Sequence, residues 1–423
     1  MPARNEPIFR VPKDESLPFK YWQATIELPN PTGRAQDRRR KYIRSKDKRT
    51  VRAKLHEARE ELRKKGDLRT DGITVEAWMN HWLETYARPE VRPTTFSAYK
   101  INVTRQIIPS LGAKTRLEKV TPAMVRRLRA DILDKGLSST YARNAHHILA
   151  SALRAAAGEG RIGFNPAEYV TPPRKARTTL DVMSLDEALA LIRAIEERPD
   201  RARWATSLLT AARRGEVIGL EWDRVSDVLD LSWQLQRLTL EHGCGDGPVA
   251  GRVWPCGKIF GAACPEKRLI VPADYDYRHL TGGLYLTRPK SASGWRIIPL
   301  VDPLRTTLEA HRATTPANDY GLVFAREDGE PRDPIRDSAD WRTLMRSVFG
   351  DDRSIRLHDV RHTTVDLLYA AGVPEDIIQE IVGHSTRTMT RAYKSRSDIH
   401  RLRDAMEQLS ALLAQPARGE LEA

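Results

Sequence analysis

Residues 204–222 read WATSLLTAARRGEVIGLEW, and the reading of this stretch decides what kind of domain surrounds it. Its apolar residues recur at helical spacing, so the whole stretch is expected to be helical. Arg213 and Glu216 then stand three apart on one helical face. Immediately upstream, SLDEALALIRAIEE (184–197) opens with Ser184 and Glu187, the spacing of a capping box. Downstream come strand-like segments, SWQLQRLTL (232–240) and GLYLTRPKS with WRIIPL (283–291 and 295–300), followed by further helices to residue 414. That order fits a mixed, mainly helical domain over 180–414 with a small antiparallel sheet.

Toward the N-terminus the pattern changes twice. NPAEYVTPPRKARTT (165–179) is rich in Pro, Lys and Arg and lacks apolar periodicity, so 171–179 reads as a linker. Before it, TVEAWMNHWLETYA, RPTTFSAYKINVTRQIIPSLG, TPAMVRRLRADILDKG and SSTYARNAHHILASALRAAAGEG predict four helices within a domain over 71–170. Thr74 is placed to cap the first of these, and glycines end the other three. In residues 1–70, FKYWQATIELP (19–29) alternates as a half-buried strand does, PNPTGRAQD breaks the pattern, and KYIRS (41–45) supplies a second strand. Val51, Leu55, Ala58 and Leu62 then mark a helix between Asp47 and Lys65, predicting a small sheet packed on one helix. The overall expectation is an α+β multidomain chain with a short tail, 415–423.

The formal net charge is +14, and its placement is informative. Residues 1–70 hold 20 basic and 10 acidic side chains, and 71–170 add a surplus of 5 basic groups. Beyond residue 170 the charges nearly cancel, at −1. Such a distribution suits a polyanionic partner met first by the N-terminal part, with Arg38, Arg39, Arg40 and Lys41 at the basic tip of the hairpin. The C-terminal half must hold any nucleic acid through individually placed residues. No apolar run approaches a membrane span and the opening lacks a signal-peptide core, so the chain is expected in the cytoplasm.

Four patterns in the third domain carry chemistry when taken together: Arg213 with Glu216; Lys290 in PKSASGWRIIPL, at the start of a turn between two strands; His358 and Arg361 on one helical face in LHDVRHT; and His384 nine residues before Tyr393 in IVGHSTRTMTRAYKS. Singly, each has a plain alternative, such as a solvated basic face or a half-buried packing tyrosine. Their joint occurrence, in this order and after a helical domain, is far more specific. These motifs resemble the active-site boxes of the tyrosine recombinases, the phage-integrase family, and in particular integrases of actinobacterial mobile elements. The resemblance covers residues 72 to about 400, and residues 1–70 are similar to the arm-binding module of many integrases.

The resemblance implies that Arg213, Lys290, His358, Arg361, His384 and Tyr393 are catalytic and that Glu216 supports them. It implies a site-specific recombinase that joins DNA to Tyr393 through a 3′-phosphotyrosyl bond, with neither metal nor ATP. The implied partners are double-stranded attachment sites, a homotetramer on DNA and a directionality factor, on the nucleoid of a bacterial or phage-infected cell. Rival readings are a type IB topoisomerase-like nicking-closing enzyme and an inactive DNA-binding protein.

Two features remain. Residues 241–283 form a Cys-, Gly- and Pro-rich insertion, in which His242, Cys244, Cys256 and Cys264 make up the ligand set of a structural zinc site. Their irregular spacing, without a tight Cys-x2-Cys knuckle, favours free buried thiols instead. At the C-terminus, RLRDAMEQLSALLA (401–414) carries Leu402, Met406, Leu409 and Leu413 at helical spacing, suited either to a neighbouring protomer or to its own domain.

Overall fold

The computed structural model describes residues 8–27, 40–65, 72–176, 181–245, 247–249, 251–289, 295–351, 353–383 and 396–414. The chain forms two compact units, one comprising 1–87 with 98–176 and the other 88–97 with 177–423.

In the first unit, strands β1 (Ile8–Val11), β2 (Tyr21–Glu27) and β3 (Arg40–Ser45) form an antiparallel sheet in that order. β1 is an addition to the predicted pair; four residues are too short to show alternation. The β2–β3 register pairs Ala24 with Ile43 and Ile26 with Lys41. This puts Ala24, Ile26 and Ile43 against helix α1 (Lys48–Lys65), whose Val51, Leu55 and Ala58 complete a small core with Leu62 packed at its margin.

The helical part follows. α2 (Val75–Trp82) is capped by Thr74, whose hydroxyl accepts the Ala77 N–H at 3.2 Å. It continues through a π-helical turn, and α3 (Pro93–Asn102) is extended in the same way. α4 (Pro122–Asp134) starts at the Thr121 cap and α5 (Ser139–Gly158) at the Ser138 cap. Trp78, Leu128, Leu149 and Leu153 lie fully buried here, and the Trp78 indole donates to the Ala152 carbonyl at 2.9 Å.

The second unit opens with α6 (Leu185–Ile195), where both halves of the Ser184–Glu187 capping box are formed. The predicted continuous helix over 204–222 is broken. α7 (Arg201–Thr210) ends at Ala211, which adopts the left-handed conformation (φ 51°), and α8 (Arg214–Ile218) starts afresh after an extended Arg213. α8 lies so close to β5 (Gln234–Arg237) that a Cβ at Gly219 would come within 2.5 Å of the Leu235 amide nitrogen. Glycine at that position permits the contact.

β4 (Val228–Asp230) pairs antiparallel with β8 (Ile297–Pro299), while β5, β7 (Leu284–Thr287) and β6 (Tyr277–Thr281) form a second small sheet in the order β5-β7-β6. The strands flanking Lys290, β7 and β8, thus belong to different sheets, and the true hairpin is β6–β7. Helices α9 (Leu304–Thr314), α10 (Pro334–Phe349), α11 (Val360–Ala370), α12 (Glu375–Val382) and α13 (Arg396–Leu413) complete the unit. Leu402, Met406, Leu409 and Leu413 of α13 enter the core of this same unit. No helix among the described residues is long and apolar enough to cross a membrane.

Candidate active site

Glu216 is the fixed point of the site. It is the third residue of α8, and its carboxylate accepts the backbone N–H of Arg213 at 2.7 Å and the Arg213 guanidinium at 2.8 Å. The two residues meet through this helix cap, since Arg213 precedes the helix and does not share a face with Glu216 as the sequence suggested. On its other side the carboxylate takes both terminal nitrogens of Arg296, at 3.0 and 2.6 Å. Glu216 is 1% exposed and Arg296 3%. Burial works against the Glu216 charge, but the Arg296 and Arg213 guanidiniums outweigh it and hold the carboxyl below its usual range. Arg214, next in sequence, turns away to the Ser338 hydroxyl.

Arg361 is held differently. On the first turn of α11, it donates to the Ala211 carbonyl at 2.6 Å and to the Val382 carbonyl, the former at the break after α7 and the latter at the end of α12. The left-handed turn at Ala211 is therefore what aims a carbonyl at this guanidinium. Burial, together with the charges of Arg296 and Arg213, brings the Arg361 pKa down to about 9, which still leaves it cationic at neutral pH. α11 is fastened to the rest of the unit by Thr364, whose hydroxyl donates to the Leu208 carbonyl at 2.7 Å, and by Thr363, which accepts the Met183 N–H at 3.0 Å.

His358 lies in the turn ahead of α11, so the His358–Arg361 pair is not carried on one helical face as predicted. Asp359, buried at the start of α11, accepts the Arg356 guanidinium at 2.7 and 3.0 Å and fixes the turn. His358 is exposed to solvent. Partial burial, then His362, Arg361 and Arg213, push its pKa below the ordinary value, so it is neutral at pH 7.

Lys290, His384 and Tyr393 lie outside the described residues, as do Arg38 and Arg39. Arg40 and Lys41 stand on β3, and Arg40 is paired with Glu27 at 3.2 Å. His242, Cys244, Cys256 and Cys264 come together, with ligand atoms all within 4.8 Å of one another. Two contributors escaped the sequence reading. Arg296 sits in a strand-like run where a basic residue reads as solvated. Arg92, assigned from sequence to the helical domain, belongs to the second unit and donates to the carbonyls of Arg288 and Pro289 at 2.7 and 2.8 Å, directly before Lys290.

Residues 281–400 match the phage integrase family and residues 74–133 the N-terminal SAM-like domain of phage integrases. These matches support a tyrosine recombinase that resembles actinobacterial integrases. An integrase of Saccharopolyspora erythraea is 29% identical over 399 residues, covering 88% of this chain and 90% of that one. Among solved structures, the integrase of transposon Tn1549 in complex with transposon right-end DNA aligns with a TM-score of 0.57 at 18% identity, over 80% of this chain and 100% of that one. A lambda integrase tetramer bound to a Holliday junction aligns at 0.50 and 16% identity, over 89% and 95%. The family matches and the integrase relatives support an enzyme of site-specific DNA recombination.

Proposed function

We propose that this recombinase is the integrase of a mobile element and that Tyr393 is its nucleophile. The observation that carries the reading is the cluster of three guanidiniums, Arg213, Arg296 and Arg361, around the single carboxylate of Glu216. Three cations against one anion leave a surplus of positive charge in a partly buried place, which a phosphodiester neutralises. Arg361, fixed by two main-chain carbonyls, needs no reorganisation to meet the charge that builds up on a five-coordinate phosphorus.

In the proposed step the Tyr393 oxygen bonds to phosphorus while the bond from phosphorus to the 5′ oxygen breaks. His358, neutral at working pH, takes the phenolic proton, and Lys290 gives one to the departing 5′ oxygen. His384 hydrogen-bonds the phosphate. The 3′-phosphotyrosyl bond retains the energy of the broken one, so a 5′ hydroxyl of the partner strand reverses the step without a nucleotide cofactor. Two relatives of this fold were seen on transposon-end DNA and as a tetramer on a Holliday junction, which supports attachment-site duplexes as substrate and four protomers as the working assembly. Residues 1–70 are assigned to arm-type DNA, 71–170 to the core site and 180–414 to catalysis, with a directionality factor as a further partner and the nucleoid as the place of action.

The test uses a nicked suicide duplex carrying the element's own ends. Wild-type protein should accumulate a covalent adduct that Tyr393→Phe does not form. An adduct with the phenylalanine variant sinks the assignment of the nucleophile.

A further inference from the structure

Between Glu241 and Ile270 the only buried residues among those described are His242 and Cys264. A segment this poor in apolar burial has no hydrophobic reason to hold one conformation. Val249 and Phe260 even stand 70% and 67% exposed. Yet the chain doubles back so that one imidazole nitrogen and three sulfurs converge, all within 4.8 Å of each other. We infer that these four residues bind one zinc ion, a structural site with three thiolates and one imidazole.

The donor set suits that ion, and the nitrogen–sulfur distances match its coordination. With zinc–sulfur and zinc–nitrogen bonds of about 2.3 and 2.0 Å, a tetrahedron has nitrogen–sulfur edges of about 3.5 Å. His242 Nδ1 lies 3.5 Å from Cys256 Sγ and 3.8 Å from Cys244 Sγ. The imidazole is set in place by parallel stacking on Trp254, with ring centroids 4.4 Å apart. Backbone N–H groups of Gly243 and Glu266 point at the Cys264 sulfur and that of Cys256 at Cys244, as expected around thiolates that need donors. A side chain at Gly243 would overlap the Glu266 carbonyl, so the two arms of the knuckle approach as closely as backbones can.

The knuckle is built into the scaffold on either side of it. Glu241 and Arg268 close its base with reciprocal backbone hydrogen bonds of 2.9 and 3.0 Å, and the Glu241 carboxylate takes both terminal nitrogens of Arg88 at 3.0 and 3.3 Å. From there the chain runs into the β6–β7 hairpin and on to Lys290. The ion holds a loop that leads into the β6–β7 hairpin, and the proposal gives it no part in phosphoryl transfer.

Full-length protein prepared without a histidine tag should contain one zinc per chain by elemental analysis. Cobalt exchanged into the wild-type chain should show thiolate-to-metal charge transfer and the strong visible bands of a tetrahedral site. Cys264→Ser should lose the metal and be cut by trypsin at Arg252, Lys258 or Lys267 at least about tenfold faster, as a locally opened segment is. The cobalt spectrum keeps the proposal testable if that variant does not fold. Folded wild-type protein that carries no zinc, takes up no cobalt with tetrahedral bands and leaves three freely titratable thiols would overturn it. A disulfide among the three cysteines would do so as well.

Discussion

Replacing Glu216 by Gln removes one negative charge and leaves the volume of the side chain almost unchanged. Of the groups it serves, Arg213 has a side chain 37% exposed, so water screens what it loses and its share is under about 1 kcal/mol. Arg296 differs: its side chain and that of Glu216 are each 1% exposed, joined by two hydrogen bonds at 3.0 and 2.6 Å. Stripping a buried cation of its partner costs about 3–5 kcal/mol, and a glutamine amide also turns a donor toward a guanidinium. For a unit of this size each kcal/mol moves the melting temperature by roughly 2–4 °C, so a drop of about 10 °C is expected. Arg213, released from the cap, should also lose its aim, lowering cleavage about 10–100-fold with little change in DNA binding.

A double-mutant cycle separates the two effects. Glu216→Gln with Arg296→Met removes the orphaned cation, so most of the stability should return while cleavage stays low. The measurements are urea denaturation and single-turnover cleavage of the suicide duplex. If Glu216→Gln lies within about 1 kcal/mol of wild type, or if the double variant is no more stable than the single, then the carboxylate does not hold this cluster together.

Two further perturbations probe the arms of the site. Ala211 is buried with a left-handed backbone, so Ala211→Gly should stay within about 1 kcal/mol of wild type. Ala211→Val should cost at least about 2 kcal/mol and lower cleavage, because a β-branched residue resists φ 51° and the Ala211 carbonyl aims Arg361; equal effects in urea melts would refute this. His362 helps to keep the His358 pKa low, so His362→Asn should shift the acidic limb of the cleavage profile to higher pH. The sign follows from the neutral imidazole being favoured in the fold. Its contribution is intact above the ordinary histidine value and fades as pH falls through the lowered one. A limb that stays in place would remove His362 from the account.

What the sequence disclosed about the fold was local. The caps at Thr74 and Ser184 and the apolar stripe of α13 were legible because capping and amphipathic spacing act within a turn or two. What it concealed depended on distant partners. The apolar spacing through 204–222 carries no trace of the left-handed turn at Ala211, which is fixed by Arg361 from 150 residues away. The pairing of β8 with β4 was hidden for the same reason, so Lys290 looked like part of a hairpin. Arg296 was passed over because pattern reading places charges on the surface, whereas this one is buried against a carboxylate. The convergence of His242, Cys244, Cys256 and Cys264 likewise comes from chain reversal, which their spacing does not encode.

On the proposed function, the charge distribution gives the two halves of the chain different tasks. Residues 1–70 carry a surplus of ten positive charges, suited to counterion release along a DNA backbone, whose contribution falls steeply with salt. Beyond residue 170 the sum is −1, so this half gains little affinity from bulk charge and cannot hold every phosphate equally. Its positive potential is instead concentrated where Arg213, Arg296 and Arg361 outnumber Glu216, and water screens the buried Arg296 and Arg361 poorly. One phosphate placed there is favoured over its neighbours along the strand. Cleavage at one defined bond is what such a division would produce, with the N-terminal charge holding the duplex and the arginine cluster choosing the scissile phosphate.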